Sequence, residues 1–276
     1  MNLAKSIRNI SKKEAIQSYE DLKQWEGNPG LGRAGLKTLD YYFFHNRLKT
    51  KTKNISFYDA MKDPSTVKHL DSLSKKYKKK SKNTQKNRYS VFQLYYGSVN
   101  QFRPVVAKWI YETLKPTSIL DFSAGWGGRC LAAISLHIPY TGIDTNFHLK
   151  KGYADMIHTF QGKAYILFQP AEQVDYSKLH YDLCFTSPPY YTIEKYEHMP
   201  SYPTKQDFNN NFLIPVIQQV WKYLKINGNL ALNIPEDMYA IIKPHLPVKA
   251  YKLPLPMANK NMNAYTEFIY IWKKSK

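Results

Sequence analysis

SILDFSAGWGGRCLAA, residues 118–133, combines a strand, a glycine turn and the start of a helix in direct succession. The apolar run before Asp121 is typical of a buried strand, and the apolar residues after the turn recur at helical spacing. Glycine lets the backbone approach a ligand closely, and open α/β sheets bind ligands outside the carboxyl ends of their strands. We therefore expect a small-molecule site at Gly125 and Gly127.

From residue 102 onward, predicted helices and strands alternate around this stretch. Such alternation implies βαβ units with right-handed crossovers, and hence a mostly parallel sheet. The last two strands follow one another without a helix, so we expect the final strand to run antiparallel at or near the sheet edge. The fold class is therefore α/β with a seven-stranded sheet. The predicted strands are 118–123, 140–146, 164–168, 181–186, 229–234, 248–253 and 266–274.

The first 100 residues lack strand-like alternation and predict helices joined by loops. The run KKYKKKSKNTQKNR, residues 75–88, is a block of like charges, which is typical of a mobile segment. We divide the chain into a basic, mostly helical N-terminal region, 1–88, which we expect to contact nucleic acid, and a catalytic α/β domain, 89–276. The predicted N-terminal helices are 12–26, 36–51 and 56–63.

The charge of the chain is strongly positive and unevenly distributed. The net charge is +19, and residues 1–100 hold 21 Lys+Arg against 8 Asp+Glu. Such a surface favours polyanionic partners, because neutralised phosphates release their counterions. Solubility and coding bias are the alternative explanation, since lysine dominates and the chain has six arginines.

Other classes of protein are disfavoured by what the sequence lacks. It contains no run of 18 apolar residues and begins with a polar segment, so we expect neither a membrane span nor a secretory signal. We therefore expect an intracellular protein, cytoplasmic or nuclear. Cys130 and Cys184 lie in apolar settings, which favour reduced, buried thiols over a disulfide or a metal site.

The glycine turn restricts the kind of ligand. A nicotinamide fingerprint requires G-x-G-x-x-G, which Cys130 interrupts, and the G-K-[ST] of a phosphate loop is absent. Asp144 follows the next strand, where an acid can accept hydrogen bonds from both ribose hydroxyls, or can cap the following helix. Asp121 lies where it can face a cationic group. An adenosine with a positive charge fits both acids, and S-adenosylmethionine is such a ligand.

TSPPYY, residues 186–191, raises a second question, because two prolines follow a predicted strand directly. Proline lacks an N–H and fixes φ, so Pro188 and Pro189 end the strand in one defined direction. The alternatives are a rigid turn without chemistry and a carbonyl held in place for catalysis.

The ordered set DFSAGWGG, GIDTN and TSPPYY resembles the Rossmann-like S-adenosylmethionine-dependent DNA amino-methyltransferases, including virus- and phage-encoded members, over about residues 89–274. The resemblance implies a Rossmann-like methyltransferase fold, with Tyr190 stacked on a flipped base. It implies an exocyclic base amine as the nucleophile, which is a poor one until two acceptors, Ser187 Oγ and the Pro188 carbonyl, turn its lone pair out of conjugation. It also implies the following site residues. The expected cofactor-binding residues are Phe102, Arg103, Pro104, Asp121, Ser123, Ala124, Gly125, Gly127, Asp144 and Glu172, and the expected catalytic residues are Ser187, Pro188, Pro189 and Tyr190.

The same resemblance implies the substrate. SPPY is the form most associated with N4-cytosine methylation, ahead of N6-adenine, and duplex DNA with an extruded base is the expected partner. The motif order resembles the gamma-type arrangement, which leaves the identity of the base open. An RNA base methyltransferase and an inactive nucleic-acid-binding subunit are the alternatives. Lys195 to Asn211 and the N-terminal region are the predicted recognition segments.

Overall fold

The computed structural model of the chain describes residues 3–77, 81–190, 200–255 and 267–275. Within these ranges the N-terminal part is helical apart from one small hairpin, and the rest alternates strands with helices. The helices of the first hundred residues are α1 (Leu3–Ile7), α2 (Lys12–Lys23), α3 (Leu36–Arg47), α4 (Phe57–Ala60), α5 (Pro64–Lys76) and α6 (Thr84–Tyr96), and the hairpin strands are β1 (Lys51–Thr52) and β2 (Ile55–Ser56). The later helices are α7 (Pro104–Leu114), α8 (Gly128–Ser135), α9 (Lys150–Thr159), α10 (Lys205–Phe208), α11 (Ile214–Tyr223) and α12 (Glu236–Ile242). The sheet strands are β3 (Ile119–Asp121), β4 (Tyr140–Asp144), β5 (Ala164–Phe168), β6 (Leu183–Thr186), β7 (Asn229–Asn233), β8 (Tyr251–Pro254) and β9 (Phe268–Lys273).

These seven strands form one sheet in the order β5-β4-β3-β6-β7-β9-β8. Strands β3 to β7 pair in parallel, and β9 runs antiparallel between β7 and the edge strand β8. The order reverses between β3 and β6, so the crevice for a ligand lies above these two strands. The predicted α/β class is confirmed, and the arrangement is the Rossmann-like methyltransferase fold.

The sheet is covered on both faces by apolar layers. One core cluster joins α7 and α8 to the sheet and includes Val106, Leu131 and Phe185, and the other joins α11 and α12 to the opposite face. The N-terminal helices α2 and α3 enter the first cluster through Leu22 and Phe43, so they pack on the sheet domain directly. No helix within the described ranges combines the length and the apolarity that a bilayer crossing requires.

The N-terminal region contains more helix than the sequence predicts. Helices α1, α5 and α6 share a third apolar cluster around Phe57 and Tyr89. Residues 84–88 of the like-charge block belong to α6, where Arg88 forms a bidentate ion pair of 2.6 and 2.7 Å with Asp71 on α5. The described part of this block is therefore held by a tertiary ion pair, which charge composition alone does not reveal.

Residues 208–225 carry the apolar spacing of one continuous helix, but in the structure this helix is interrupted near its middle. Residues Asn209–Leu213 form a π-helix between α10 and α11. Pro215 lacks the N–H that would bond to the carbonyl of residue 211, and its ring crowds that carbonyl, so a wider turn relieves the clash. The π-turn brings Phe212 to the edge of the ligand cavity described below.

Gly128 allows the closest contact between the glycine turn and the segment before α7. A Cβ at this position would overlap the carbonyl oxygen of Phe102. We expect Gly128→Ala to lower the free energy of unfolding by about 1–3 kcal/mol, because the Phe102 backbone must move. Urea unfolding measures the loss, and Lys150→Ala at an exposed helical position is the control, with an expected change within about 0.5 kcal/mol. Equal stability of Gly128→Ala and the wild-type protein would contradict the packing.

Candidate functional site

A cavity of about 390 Å³ lies at the carboxyl ends of the parallel strands. Its walls come from the residues that directly follow β3, β4, β5 and β6, together with the segment before α7. The volume falls within the range that binds a small molecule or cofactor. The turn at Gly125, the acid Asp144 and the loop 187–190 therefore face one common space.

The glycine turn owes its shape to two left-handed residues. Gly125 has φ +58° and Gly127 has φ +77°, a region that side chains with a Cβ rarely adopt. Gly127 is the N-cap of α8, while Gly125 lines the cavity and donates its N–H to Asp144 Oδ2 at 2.7 Å. The Tyr153 hydroxyl donates to the Gly125 carbonyl at 2.9 Å, which anchors the turn from the other side.

Asp144 lies at the end of β4 with its carboxylate at the cavity. Oδ1 accepts from the Asn146 N–H at 2.8 Å. Burial raises the pKa of Asp144 to about 6, although these two backbone hydrogen bonds favour the ionised form. Asn146, not Asp144, caps the following short helix, by accepting from the His148 N–H. The capping alternative for Asp144 is therefore wrong.

Asp121 lies away from the position predicted for it. Its side chain is fully buried and does not line the cavity. Arg129 Nε donates to Oδ2 at 2.6 Å, and the Tyr140 hydroxyl donates to the same oxygen at 2.6 Å. The prediction that Asp121 faces a cationic ligand is therefore wrong, because its charge is already paired with Arg129. Asp121 instead fixes the glycine turn, since Arg129 also donates to the Ser123 carbonyl.

The segment before α7 closes one side of the cavity. The Phe102 ring packs edge-on against Phe185 at 5.4 Å, and the Arg129 guanidinium lies 5.3 Å from the Phe102 ring centre. Arg103 Nη1 donates to the Gly30 carbonyl at 2.5 Å, which ties this segment to the N-terminal region. Phe102 and Arg103 line the cavity, whereas Pro104 begins α7 outside it.

Glu172 marks the end of the cavity near β5. Its Oε1 accepts from the Tyr202 hydroxyl at 2.9 Å, and burial together with this hydrogen bond raises the pKa of Tyr202. Oε2 is buried and accepts no hydrogen bond from any described residue. A buried carboxylate oxygen without a donor is costly, so this end of the cavity is suited to a ligand N–H.

The loop after β6, residues 187–190, lines another part of the cavity. The Ser187 and Tyr190 hydroxyls lie 3.2 Å apart, and Tyr190 also donates to the Asn233 carbonyl at 3.2 Å. No donor in the described ranges bonds to the Pro188 carbonyl. Tyr190 is therefore held by β7, and no described residue competes for the Pro188 carbonyl.

Most of the predicted site residues meet at this one cavity. Asp121, Pro104 and Gly127 do not line it, and residues 195–199 of the predicted recognition segment lie outside the described residues. Sequence reasoning missed several polar lining residues. A usable signal exists for four of them, because Thr145 and Asn146 follow a strand and Gln101 and Arg129 flank a predicted motif. The predicted residues that line the cavity are Phe102, Arg103, Ser123, Ala124, Gly125, Asp144, Glu172, Ser187, Pro188, Pro189 and Tyr190, and the missed polar ones include Gln101, Arg129, Thr145, Asn146, Asn233 and Glu267.

Comparison with known proteins gives structural likeness alone. No protein-family model and no curated protein matches the chain. Among solved structures, TrmN from Thermus thermophilus matches with a TM-score of 0.47 and 15% identity, over 62% of this chain and 48% of TrmN. An rRNA methylase from Streptococcus thermophilus matches with a TM-score of 0.42 and 13% identity, over 64% of this chain and 100% of that chain. RsmC, a 16S rRNA methyltransferase of T. thermophilus solved with AdoMet and guanosine, matches with a TM-score of 0.45 and 13% identity, over 64% of this chain and 44% of RsmC.

Proposed function

We propose that the chain transfers a methyl group from S-adenosylmethionine to the exocyclic amino group of a base in DNA. One observation carries the proposal above the others. Ser187 and Pro188, which carry two acceptors in one loop, line the same cavity as Asp144, which we propose binds the ribose, and as the glycine turn. An adenosine-containing donor and an amine acceptor can thus meet in one enclosed space.

The residues present fit S-adenosylmethionine. Asp144 would accept from the ribose hydroxyls, Glu172 Oε2, which has no donor among the described residues, would accept from an adenine N–H, and Gly125 leaves room for close approach. When bound, S-adenosylmethionine supplies an electrophilic methyl group on a sulfonium centre. The part of the chain described by the structure contains no cluster of three or more side chains suited to hold a metal ion.

The loop after β6 would orient the exocyclic amine of the target base for attack on the methyl group. Its nitrogen carries two N–H bonds, and Ser187 Oγ and the Pro188 carbonyl can accept one each, which turns the lone pair away from the ring. Proline suits this position because it offers a carbonyl without a competing N–H and holds it stiffly. The amine loses a proton after attack, so the loop requires no strong base. Most of the rate therefore comes from positioning.

The more specific part of the proposal is the identity of the base that accepts the methyl group. Ser187 in place of asparagine or aspartate favours N4 of cytosine over N6 of adenine, by the resemblance of the loop to SPPY enzymes. The target atom is unreachable within a stacked duplex, so the base must be extruded, and the Tyr190 ring at the cavity offers a stacking surface. The same loop could serve an RNA base, which is the alternative substrate.

A transfer assay tests the proposal directly. The protein is incubated with methyl-labelled S-adenosylmethionine and with duplex DNA, single-stranded DNA or RNA, and the digested product is identified by mass spectrometry. We expect N4-methylcytosine in DNA. Label in RNA alone would overturn the choice of DNA, and no label in any acceptor would favour a binding protein that keeps the fold.

The raised pKa of Asp144 predicts pH-dependent binding of the cofactor. A carboxyl whose pKa is about 6 is ionised at pH 8 and largely protonated at pH 5. Protonation removes an acceptor for the ribose, so the affinity should fall as the pH falls below 6, by at most about tenfold per unit for one coupled proton. Calorimetric titration with S-adenosylhomocysteine from pH 8 to pH 5 measures the change.

Asp144→Asn is the matched control for this pH dependence, because it keeps the size of the side chain and removes its titration. We expect Asp144→Asn to bind S-adenosylhomocysteine weakly and without this pH dependence. A wild-type affinity that stays constant from pH 8 to pH 5 would contradict the role of Asp144.

A further inference from the structure

A second cavity, of about 1000 Å³, lies between the N-terminal helices and the segment that follows β4. We call it the lysine groove, because six exposed lysines line it against two aspartates. The lysines are Lys5, Lys12, Lys49, Lys51, Lys62 and Lys151.

The positive charge of the groove is only partly neutralised. The two aspartates already belong to ion pairs, Asp59 with Lys62 at 3.9 Å and Asp155 with Lys151 at 2.7 Å. Among the described residues, no carboxylate lies within ion-pair distance of the other four lysines. The groove is therefore a concave site with an excess of exposed cations, which attracts a polyanion.

Tyrosine rings lie among these lysines. Tyr41 is 41% exposed and Tyr58 is 37% exposed. The Lys62 and Lys49 ammonium groups lie 4.4 and 5.7 Å from the Tyr58 ring centre. Exposed aromatic rings between lysines are the pattern that single-stranded nucleic acid requires, because the lysines track its phosphates and the rings stack on its bases.

The groove adjoins the ligand cavity. Asn146 lines both spaces, and its N–H bonds to Asp144 at 2.8 Å. Asn46 on α3 donates to the His148 carbonyl at 3.3 Å, so the N-terminal helix and the loop after β4 are joined at this point. A polymer that occupies the groove would therefore lie beside the site in which we place the cofactor.

We propose that the lysine groove binds an unpaired segment of the nucleic-acid substrate, with phosphates on the lysines and bases on Tyr41 and Tyr58. Its link to methyl transfer rests on the proposed function, but the binding itself does not. An unpaired strand fits better than a duplex, because the bases of a duplex stack on one another and leave the tyrosine rings without a partner. The strand would emerge near the catalytic cavity with its bases accessible.

The charge of the groove is tested with the double variant Lys49→Gln/Lys51→Gln. The probe is a fluorescein-labelled single strand of about 20 nucleotides, which exceeds the site size of most single-strand modules, in DNA and RNA forms. Each lost phosphate contact should lower affinity about fivefold at 0.1 M salt and the slope of log K against log salt by about 0.7. We therefore expect about 25-fold weaker binding and a slope lower by about 1.4 for the double variant.

The control Lys163→Gln/Lys225→Gln removes the same charge at the opposite end of the strands. Both lysines are exposed and lie just before β5 and β7. We expect this variant to keep the wild-type slope. An equal loss of affinity in the two double variants would overturn the groove proposal, because the net charge of the protein would then explain the binding.

The stacking surface is tested with Tyr58→Leu and Tyr58→Phe. Loss of the ring should weaken single-strand binding about tenfold without a change in the salt slope, whereas phenylalanine keeps the ring and should bind like the wild type. A duplex of the same sequence that binds as tightly as the single strand, with no effect of Tyr58→Leu, would overturn the choice of an unpaired strand.

Failure of the groove and failure of the proposed function give different results. If Lys49→Gln/Lys51→Gln binds the single strand as tightly as the wild type and methylates DNA at the wild-type rate, the groove proposal is rejected. The proposed methyltransferase activity is then retained. If single-strand binding depends on the groove lysines but no methyl group is transferred to any acceptor, the groove proposal is retained. The proposed function is then rejected. Calorimetry with S-adenosylhomocysteine should give equal affinities for the wild type and the groove variants.

Discussion

Replacement of Asp121 with asparagine should lower the free energy of unfolding by about 3–5 kcal/mol. Asp121 is fully buried and Arg129 is 4% exposed, so the substitution leaves a guanidinium without its counter-charge in the protein interior. Burial alone would lower the pKa of Arg129, but the charge of Asp121 raises it above its ordinary value, which shows that the arginine stays ionised. An unpaired buried charge is one of the largest destabilising changes that a point variant produces.

Urea unfolding measures this loss, and a surface pair provides the matched control. Lys151 and Asp155 have the same charges at 2.7 Å, but both side chains are exposed. We expect Asp155→Asn to cost less than about 1 kcal/mol, because water screens the pair. In a double-variant cycle, Asp121→Asn/Arg129→Met should lose less than the sum of the two single losses. Additive losses, or a loss near that of Asp155→Asn, would contradict a buried, coupled pair.

The same pair shows why the fold was easier to predict than the roles of individual side chains. A buried strand, a glycine turn and an apolar helix have local signatures, so β3, the turn at Gly125 and α8 follow from residues 118–133 alone. Whether Asp121 points to the ligand or into the core depends on Arg129 and Tyr140, which approach it through the tertiary fold. Spacing along the chain carries no information about that approach.

The N-terminal helices illustrate a different reason for failure. Helices α5 and α6 each extend into the like-charge block 75–88, whose charge pattern resembles that of a solvated segment. They form because a few apolar residues, such as Leu70 and Val91, are fully buried in a shared cluster and because Arg88 pairs with Asp71. Tertiary packing of this kind overrides local composition, which is the usual limit of sequence-based reasoning.

The site was predicted best where backbone chemistry determines it. Pro188 and Pro189 end β6 wherever the strand lies, and the ends of parallel strands meet at one edge, so the loop and Asp144 converge on one cavity. The support given by Asn233 was missed, because the partner of Tyr190 is a backbone carbonyl on β7. Any residue type could supply that carbonyl, so no sequence signal identifies it.

Ser187→Ala should lower kcat about 100-fold and leave the affinity for S-adenosylhomocysteine unchanged. The substitution removes one of the two acceptors proposed to hold the amine, and the loss of a group that positions the reacting atoms costs about 10²-fold. The proposed cofactor contacts, Asp144 and Glu172, lie elsewhere in the cavity, so binding of the cofactor should not change. Single-turnover transfer to DNA and calorimetry with S-adenosylhomocysteine separate the two effects.

The neighbouring hydroxyl at Thr186 provides a matched control for Ser187→Ala. Thr186 is fully buried, and its Oγ1 has no hydrogen-bond partner among the described residues, so Thr186→Val should keep kcat within about threefold. Tyr190→Phe removes the hydroxyl that lies 3.2 Å from Ser187 Oγ but keeps the stacking ring, so it should lose about tenfold. Tyr190→Ala should lose more than Tyr190→Phe, because the base then has no surface to stack on. A Ser187→Ala enzyme with the kcat of Thr186→Val would show that the serine does not hold the amine, and the rigid-turn interpretation of the two prolines would then be the correct one.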